Sequence, residues 1–320
     1  MIEDRTTGIG LLGLDDTGHF LRDLIVQNPA MGRLVAAWDP SAERRSMFSA
    51  AQPSLEAVLQ DPRVDRLYIS GPLPSRFEWT HAGLVRGKST FVVAPIAADP
   101  EHAGLLISAS NCGSGQLAWL RLNEDRGSFL SALRILQSGR LGRLRSVRYR
   151  LRHPPALVNG DFRSASGLAD EFNLLETVGG PLIDQLVRLC ESEPQHVYCT
   201  IRNPQLHANL EGGELILEVG FKGGVTARIE VDRRTCQSEH PGWIVEGERG
   251  AWKEGRITHI QDDGEIYDLA EIETRCDNHE SDTEDPVLRG QPFDVSVCLR
   301  SAAILNAAKS SALARRIESL

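Results

Sequence analysis

The first residues whose types and spacing could do chemistry form a turn near the start of the chain, Gly13-Leu14-Asp15-Asp16-Thr17-Gly18. The turn follows an apolar stretch, Gly8–Leu12, and precedes a helical pattern at 19–27, as in turns that bind the phosphates of a dinucleotide. In the G-x-G-x-x-G pattern, the second glycine lets the backbone approach the pyrophosphate. Asp15 stands at that second position, so the sequence predicts a dinucleotide-binding type βαβ unit with a damaged phosphate turn.

Asp15 has two interpretations. As a phosphate-turn residue it adds a negative charge beside Asp16, and two unit charges about 4 Å apart repel by roughly 4 kcal/mol at an effective dielectric constant of about 20. As a helix residue it is a cap and a partner of the helix dipole, and we favour this interpretation. Asp39, which follows the strand pattern at 33–38, stands where an acidic residue would hold the ribose of NAD, although an Asp-Pro turn is the alternative.

Composition and charge exclude several classes of protein. The chain has 320 residues, 41% of them hydrophobic, which suits a globular protein of two domains. No run of 18 apolar residues is present, so a transmembrane helix is excluded, and the acidic N-terminus predicts a cytoplasmic protein without a signal peptide. The net charge of -9 argues against a nucleic acid partner. The six cysteines lack zinc-type spacing, and we expect no metal.

The pattern of apolar residues changes along the chain. Short apolar stretches alternate with helical patterns over residues 8–120, which predicts an α/β fold with a Rossmann-type doubly wound parallel sheet. This alternation of strand and helix patterns ends by about residue 140, and strand patterns predominate after it. We therefore predict a dinucleotide-binding domain at 1–120 and an α+β domain at 121–320, with a mainly antiparallel open sheet and C-terminal helices. The acidic composition of residues 271–290 predicts an exposed loop.

The predicted elements have the following bounds. Strands of the first domain are expected at Gly8–Leu12, Arg33–Trp38, Arg66–Ser70, Thr90–Val93 and Gln116–Trp119, with helices near 19–27, 54–60, 76–86, 99–109 and 127–137. Strands of the second domain are expected at 143–152, 194–202, 214–221, 224–232, 242–246 and 257–268, with helices at Leu182–Cys190 and 294–318. The concentration of arginines over 140–152 indicates the polar face of a strand, and an anion-binding surface is the less favoured alternative.

Five short motifs are each weak signals, but their order and spacing together are specific enough to indicate a family. They are Ile9-Gly10-Leu11-Leu12-Gly13, Ala36-Ala37-Trp38-Asp39-Pro40, Gly87-Lys88 leading to Pro95, Gln137-Ser138-Gly139-Arg140-Leu141-Gly142 and Gly180-Pro181-Leu182-Ile183-Asp184-Gln185. By these motifs the chain resembles the glucose–fructose oxidoreductase / inositol dehydrogenase / MocA family of NAD(P)-dependent oxidoreductases over nearly its whole length. The resemblance implies NAD or NADP as cofactor, a small sugar-like ligand, and a homo-oligomer formed through the C-terminal sheet. It implies cofactor contacts from Gly13, Asp15, Gly18, Asp39, Pro72 and Pro95.

The family's catalytic residues are replaced in this chain. A Lys in a Glu-Lys-Pro motif and an Asp and a His four residues apart on a helix normally hold the substrate oxygen and move its proton. Here Glu-Lys-Pro reads Val93-Ala94-Pro95, the Asp and His positions read Thr177 and Pro181, and the usual His after the third strand reads Arg76. Alanine and proline cannot transfer protons.

Other residues could substitute. Glu176 and Asp184 flank the helix positions, and His153, Asp161 and Arg163 precede them, whereas Lys88 is expected not to reach the site. Trp243 and Trp252 are either a sugar-stacking platform or core residues, with the core favoured.

We therefore predict a catalytically impaired or repurposed homologue that binds a sugar, a nucleotide or a partner, and whose binding of NAD(P) is doubtful because of Asp15. The alternative is an active, divergent dehydrogenase acting on a sugar or polyol. A structural role through the open sheet is a third class.

Overall fold

A computed structural model describes residues 6–120, 122, 126–152, 156–157, 174–202, 205–207, 210–211, 213–233, 235, 239, 241–260, 266–269 and 291–320. The chain divides into two compact units, which comprise Met1–Leu122 with His279–Ala302, and Asn123–Asn278 with Ala303–Leu320. The acidic stretch 271–290 and the possible substitutes His153, Asp161 and Arg163 lie outside the described residues.

The first unit is built on a six-stranded sheet in the order β17-β5-β4-β3-β1-β2. The five N-terminal strands are parallel to their neighbours, and β17 is antiparallel to β5. Every residue of β1 is buried, as expected for a parallel strand covered on both faces. The strands are β1 Gly8–Leu12, β2 Arg33–Trp38, β3 Arg66–Ile69, β4 Ser89–Val93, β5 Leu117–Leu120 and β17 Gln291–Pro292.

Helices connect these strands, and several begin at a side-chain cap. Asp15, Ser41, Ser54 and Asp99 each accept a hydrogen bond from a backbone amide of the first turn, which satisfies a donor that the helix itself leaves unpaired. The helices are α1 Asp16–Gln27, a 3-10 turn Pro29–Met31, α2 Ala42–Ser46, α3 Leu55–Gln60, α4 Leu73–Val85 and α5 Pro100–Cys112. The core beneath α1 includes Leu14 from the turn itself.

The second unit is built on a nine-stranded sheet in the order β16-β15-β14-β13-β6-β12-β11-β8-β18. A smaller sheet has the order β7-β10-β9. The strands are β6 Leu144–Arg152, β7 Ala156–Leu157, β8 Pro194–Arg202, β9 Gln205–His207, β10 Leu210–Glu211, β11 Glu214–Phe221, β12 Thr226–Asp232, β13 Gly242–Gly247, β14 Gly250–Lys253, β15 Arg256–Ile260, β16 Ile266–Leu269 and β18 Glu318–Ser319.

Three helical regions belong wholly or partly to the second unit. Helix α6 covers Arg126–Gln137. A π-helical turn, Leu175–Gly179, runs directly into α7, Gly180–Cys190. The last helix, α8, covers Val295–Ala314, and the division between the two units falls within it. Among the described residues, no helix combines the length and the apolar character needed to span a membrane.

The predicted fold class is confirmed, with three local differences. Strands β6 and β12 are parallel, although every other neighbouring pair of the large sheet is antiparallel. Strand β14 escaped prediction because it is short and joined to β15 by a tight turn at Glu254 and Gly255, where φ is 49° and 83°. The predicted helix 294–318 ends at Ala314, and Glu318–Ser319 adds an edge strand to β8.

Candidate functional site

The turn after β1 brings the glycines of the motif against the end of β3. Gly13 has a φ of 87°, which favours glycine, and a Cβ there would lie 2.7 Å from the Ser70 hydroxyl oxygen. A Cβ on Gly18 would overlap the carbonyl oxygen of Gly13. The first and third glycines of the motif are therefore required by the close packing of the turn and helix α1, whether or not a ligand binds.

Asp15 is the side-chain cap of helix α1, as the favoured interpretation predicts. Its Oδ1 atom accepts a hydrogen bond from the Gly18 amide at 2.9 Å and lies 3.1 Å from the Ser70 hydroxyl oxygen. A pyrophosphate bound by a G-x-G-x-x-G turn receives backbone amides at this same helix N-terminus. The carboxylate of Asp15 therefore takes a donor, and a share of the positive end of the helix dipole, that a dinucleotide would need.

Asp39 follows β2 and turns its carboxylate into the protein. It is 2% exposed, its Oδ2 atom accepts from the Leu14 amide at 2.9 Å, and its Oδ1 atom accepts from the Ser41 amide at 2.8 Å. Arg44 adds an ion pair at 3.5 Å. Both oxygens thus hold the two loops together. The residues at this edge of the sheet fit a dinucleotide poorly, because the phosphate position carries a carboxylate and the ribose acceptor is buried.

Arg76 connects the loops that follow β3 and β4. Its Nε atom donates to the Gly71 carbonyl at 2.5 Å and its Nη1 atom to the Pro95 carbonyl at 3.1 Å, while its backbone amide donates to Pro72. Pro72 and Pro95 are thereby brought together through Arg76. Ala94, at the position of the family's lysine, is 7% exposed and contributes a backbone bond to β5 but no side-chain chemistry.

The helix of the second unit carries the other family positions. Thr177 is exposed in the π-helical turn, and Pro181 is half-buried in the first turn of α7. Asp184 is 4% exposed, so its carboxyl group lies inside the unit rather than on an accessible surface. Glu176 is half-buried and forms an ion pair with Lys309 of α8, with 2.5 Å between Oε1 and Nζ.

Lys309 is the functional candidate that the sequence did not indicate. It lies 133 residues from Glu176 and belongs to a helix predicted only as the closing element of the chain. A half-buried lysine is unusual enough to notice, since lysine is seldom removed from solvent without a partner. The sequence alone does not show which residue Lys309 pairs with.

Other residues that the sequence offered as possible site residues have structural roles. Trp243 and Trp252 are 0% and 3% exposed, so they are core residues, and the Trp243 indole donates to Gln185 Oε1 at 2.8 Å. Lys88 donates to the carbonyls of Asp61 and Val64, at 3.1 and 2.6 Å, in the loop that precedes β3. This anchors Lys88 away from the end of β4, in agreement with the expectation that it cannot reach the site.

The arginines of β6 lie on the outer face of the large sheet, as predicted. Arg148 pairs with Glu246, Arg150 with Glu230, and Arg152 with Glu239. Arg228 of β12 extends the row through Glu218 and Glu230. We call these cross-strand ion pairs the charged ladder. It covers the face of the sheet with charges of both signs.

The cysteines that the structure describes include no metal cluster. Cys190, Cys199 and Cys298 are buried and Cys112 is exposed. Among the described residues, no group of three potential metal ligands comes together. Burial raises the pKa of the Cys199 thiol to about 12, so this thiol stays protonated and unreactive at physiological pH.

Comparison with known proteins agrees with the fold. Residues 129–253 match the sequence model of the GFO/IDH/MocA C-terminal domain. The dehydrogenase AclE of Aspergillus oryzae is 25% identical over 221 residues, a match that covers 62% of this chain and 59% of that protein. The match thus spans about three fifths of the length of that relative.

Solved structures resemble this chain over almost its whole length. An NAD-binding protein from Listeria innocua gives a TM-score of 0.74 at 18% identity, covering 99% of this chain and 100% of that one. An oxidoreductase from Agrobacterium radiobacter in complex with NAD+, L-tartaric acid and magnesium gives 0.73 at 14% identity, covering 98% of each chain.

An aldose-aldose oxidoreductase from Caulobacter crescentus, complexed with glycerol, gives a TM-score of 0.68 at 16% identity and covers 99% of this chain and 100% of that one. These likenesses concern the fold. Residues 129–253 are similar to the C-terminal domain of the GFO/IDH/MocA family, and the chain as a whole shares the fold of these oxidoreductases.

Proposed function

We propose that this chain binds a small sugar-like ligand without performing the hydride transfer typical of its family. The observation that carries the proposal is the carboxylate of Asp15 on the amide of Gly18, 2.9 Å away, at the helix N-terminus where a dinucleotide would place its pyrophosphate. A bound dinucleotide would bring a second anion to a site that already holds one. Even about 1.4 kcal/mol of repulsion lowers affinity about tenfold.

Asp39 supports the same proposal from the ribose side. Its two oxygens accept hydrogen bonds from the amides of Leu14 and Ser41 inside the protein. The side chain is 2% exposed, so a ribose hydroxyl would reach the remaining acceptor positions of this carboxylate only if the surrounding loops moved. The two defects are independent, because one concerns the phosphates and the other the ribose.

The catalytic positions add a third line of support. Ala94, Thr177 and Pro181 stand where the family has lysine, aspartate and histidine, and none of them is a general base at neutral pH. The groups that take up the substrate's proton in the family are therefore missing from both units. Glu176, next to the vacated aspartate position, is held in an ion pair with Lys309.

The alternative is a divergent dehydrogenase that retains NAD(P). It is favoured by the NAD+ bound in the Agrobacterium radiobacter structure and by the dehydrogenase from Aspergillus oryzae. In that case Asp15 would have to leave Gly18 when the nucleotide enters. Loss of an aspartate cap costs about 1 kcal/mol, so nucleotide binding strong enough to exceed this cost and the charge repulsion would be required.

Calorimetric titration of the full chain with NADH and NADPH tests the proposal. We expect no saturable binding at millimolar nucleotide for either cofactor. Micromolar binding of either one, or a change in nicotinamide absorbance when sugars or polyols are added, would overturn it and favour the dehydrogenase.

We also propose that the outer face of the nine-stranded sheet associates with a second copy of the chain. The charged ladder places partly exposed arginine and glutamate side chains on one face, and a face that carries both signs can pair with its own copy across a twofold axis. Sedimentation at low and high salt tests this. A dimer at low ionic strength that dissociates with salt supports a ladder-mediated contact, whereas a monomer at both contradicts it.

A further inference from the structure

A surface cavity of about 490 Å³ lies at the amino ends of β1 and β2, and its lining comprises Thr6, Gly8, Arg33, Val35, Pro62 and Arg63. This volume falls within the range of about 300 to 1,000 Å³ that small-molecule sites occupy. Strand β1 begins at Gly8 and β2 begins at Arg33, whereas the turn that resembles a phosphate turn follows the other end of β1. The cavity is therefore separate from the edge of the sheet at which a dinucleotide would bind.

One of the two guanidinium groups in the cavity, that of Arg63, is fixed by Asp61. The Nε atom of Arg63 lies 3.0 Å from Oδ1 of Asp61, and Nη2 lies 2.6 Å from Oδ2. The Asp61 side chain is 9% exposed, and its hydrogen bonds with the Arg63 guanidinium lower the pKa of its carboxyl group. Among the described residues, Nη1 of Arg63 makes no hydrogen bond. The pair thus holds Arg63 in place and leaves that nitrogen as a donor.

The loop that carries Arg63 is packed closely against β1. A Cβ on Gly8 would lie 1.7 Å from the Arg63 carbonyl oxygen, so only glycine permits this approach. The Gly8 amide donates to Oδ2 of Asp65 at 2.8 Å, and the Asp65 amide donates to the Gly8 carbonyl at 2.8 Å. The wall of the cavity is therefore held by backbone contacts, and a preformed wall lowers the entropic cost of binding a ligand.

The second guanidinium group, that of Arg33, has no ion-pair or hydrogen-bond partner among the residues that the structure describes. Only its backbone is bonded, because the Arg33 amide donates to the Thr7 carbonyl at 2.9 Å. Since Asp61 neutralises Arg63, the cavity retains the single positive charge of Arg33. Val35 and Pro62 place apolar surface in the same cavity. The cavity thus combines one unpaired cation with an apolar wall.

We propose that this cavity binds a small organic monocarboxylate. The carboxylate pairs with Arg33 and accepts from Nη1 of Arg63, because guanidinium groups form short, charge-assisted hydrogen bonds with carboxylates. The apolar part of the ligand contacts Val35 and Pro62. One carboxylate matches the one unpaired positive charge, whereas a phosphate monoester carries a charge of about -1.5 to -2 at neutral pH. The site is independent of the proposed function, because none of its residues belongs to the phosphate turn or to α7.

The test is calorimetric titration of the full chain at low ionic strength with four probes. Benzoate has one carboxylate and an apolar ring, benzyl alcohol has the ring without the charge, acetate has the charge without the ring, and phenyl phosphate has the ring with a larger charge. We expect benzoate to bind, and benzyl alcohol and acetate to bind at least about tenfold more weakly. Phenyl phosphate should bind no more tightly than benzoate.

Three results would overturn the proposal. They are the absence of saturable benzoate binding at tens of millimolar, equal affinity for benzoate and either benzyl alcohol or acetate, and tighter binding of phenyl phosphate than of benzoate. The last result would make the cavity a phosphate site instead.

Variants identify the residues. Arg33→Gln should weaken benzoate at least about tenfold, because it removes the unpaired charge, and it should fold normally since this side chain has no partner to lose among the described residues. Arg33→Lys should retain part of the affinity, because it keeps the charge without the planar fork. Arg22→Gln removes an equal charge from α1 in the same unit and is the matched control, which should leave the affinity unchanged. Equal affinity of Arg33→Gln and wild type would contradict the assignment.

A second measurement uses the wild type alone. Modification of Arg33 by phenylglyoxal, quantified by mass spectrometry, should slow when benzoate is present, while modification of the exposed Arg202 should not change. An unchanged rate at Arg33 with saturating benzoate would mean that the ligand binds elsewhere and would refute the proposal. Failure of any of these tests leaves the proposed function standing, because that function is tested separately with NADH and NADPH.

Discussion

The carboxyl edge of the sheet in the first unit and the π-helical turn before α7 in the second unit differ in the partners of their charged groups. In the first unit, Asp15, Asp39 and Arg76 all bond to the backbone of neighbouring loops. In the second unit, Glu176 bonds to another side chain, Lys309. Charged groups that bond to backbone hold a structure together, whereas paired side chains can exchange partners. The first region is held by bonds to its backbone, and the second is held by a pair of side chains.

The largest expected effect concerns Arg76, which holds the carboxyl edge of the sheet in the first unit. Arg76→Met should lower the free energy of unfolding by about 3 kcal/mol, because it removes charged donors from the carbonyls of Gly71 and Pro95. Urea unfolding measures this. Arg86→Met, which breaks an exposed pair with Glu56 at the end of the same helix, should change stability by about 0.5 kcal/mol or less. Similar losses in the two variants would mean that the edge is not held by Arg76.

The next largest effect is expected on the affinity for NADH at the phosphate turn. Asp15→Gly should raise the affinity for NADH at least about tenfold, since it removes the carboxylate at the helix N-terminus and restores glycine at the second position. Its cost in stability is only a few tenths of a kcal/mol, because glycine is itself an acceptable cap. Calorimetric titration is the measurement. Asp16→Asn removes an equal charge from the exposed neighbouring position and should gain much less. A variant Asp15→Gly that gains nothing would remove the main support for the proposed function.

A smaller effect is expected in the second region. Lys309→Met should lower the free energy of unfolding by only about 1 kcal/mol, because partial exposure lets water solvate Glu176 when its partner is lost. Thermal unfolding of Lys309→Met and of Arg76→Met compares how much stability each region loses when its charged residue is replaced. A loss as large as that of Arg76→Met would show that Lys309 holds the structure, and the contrast between the two regions would disappear.

The smallest effect at neutral pH concerns Cys199 on β8. Burial raises the pKa of its thiol from 9.0 to about 12, so above pH 9.0 the unfolded chain loses this proton while the folded chain keeps it. The contribution to stability is therefore complete below pH 9.0 and decreases as the pH rises toward about 12. Alkylation at pH 9.0 should modify the exposed Cys112 and leave Cys199 unmodified until denaturant is added. Rapid alkylation of Cys199 in the native chain would contradict this.

Much of the first unit could be predicted from sequence, because its signals are local. The runs Gly8–Leu12 and Arg33–Trp38 are apolar and bounded by polar turns, and the strands have these same bounds. Asp15 lies in the turn before the helical pattern at 19–27, and the helix begins directly after it, at Asp16, with the Asp15 side chain as its cap. Each of these inferences needs only residues within one turn or one strand.

The second unit was harder to predict because its important contacts join distant residues. The pair of Glu176 and Lys309 bridges two helices far apart in the chain, and nothing in either helical pattern specifies the other. The parallel pairing of β6 with β12 likewise depends on which strands become neighbours after the chain has folded. The π-helical turn at Leu175–Gly179 reflects packing of Gly179 against Leu215, which periodicity cannot reveal.

The cap at Asp15 also bears on how this chain could change over generations. Aspartate and glycine codons differ at a single nucleotide, so one point mutation converts the turn to a three-glycine motif. The helix tolerates that change, because Gly18 and Gly13 already satisfy the packing of the turn and glycine caps a helix nearly as well as aspartate. The fold itself therefore does not require an aspartate at this position, and one substitution separates the chain from a three-glycine turn.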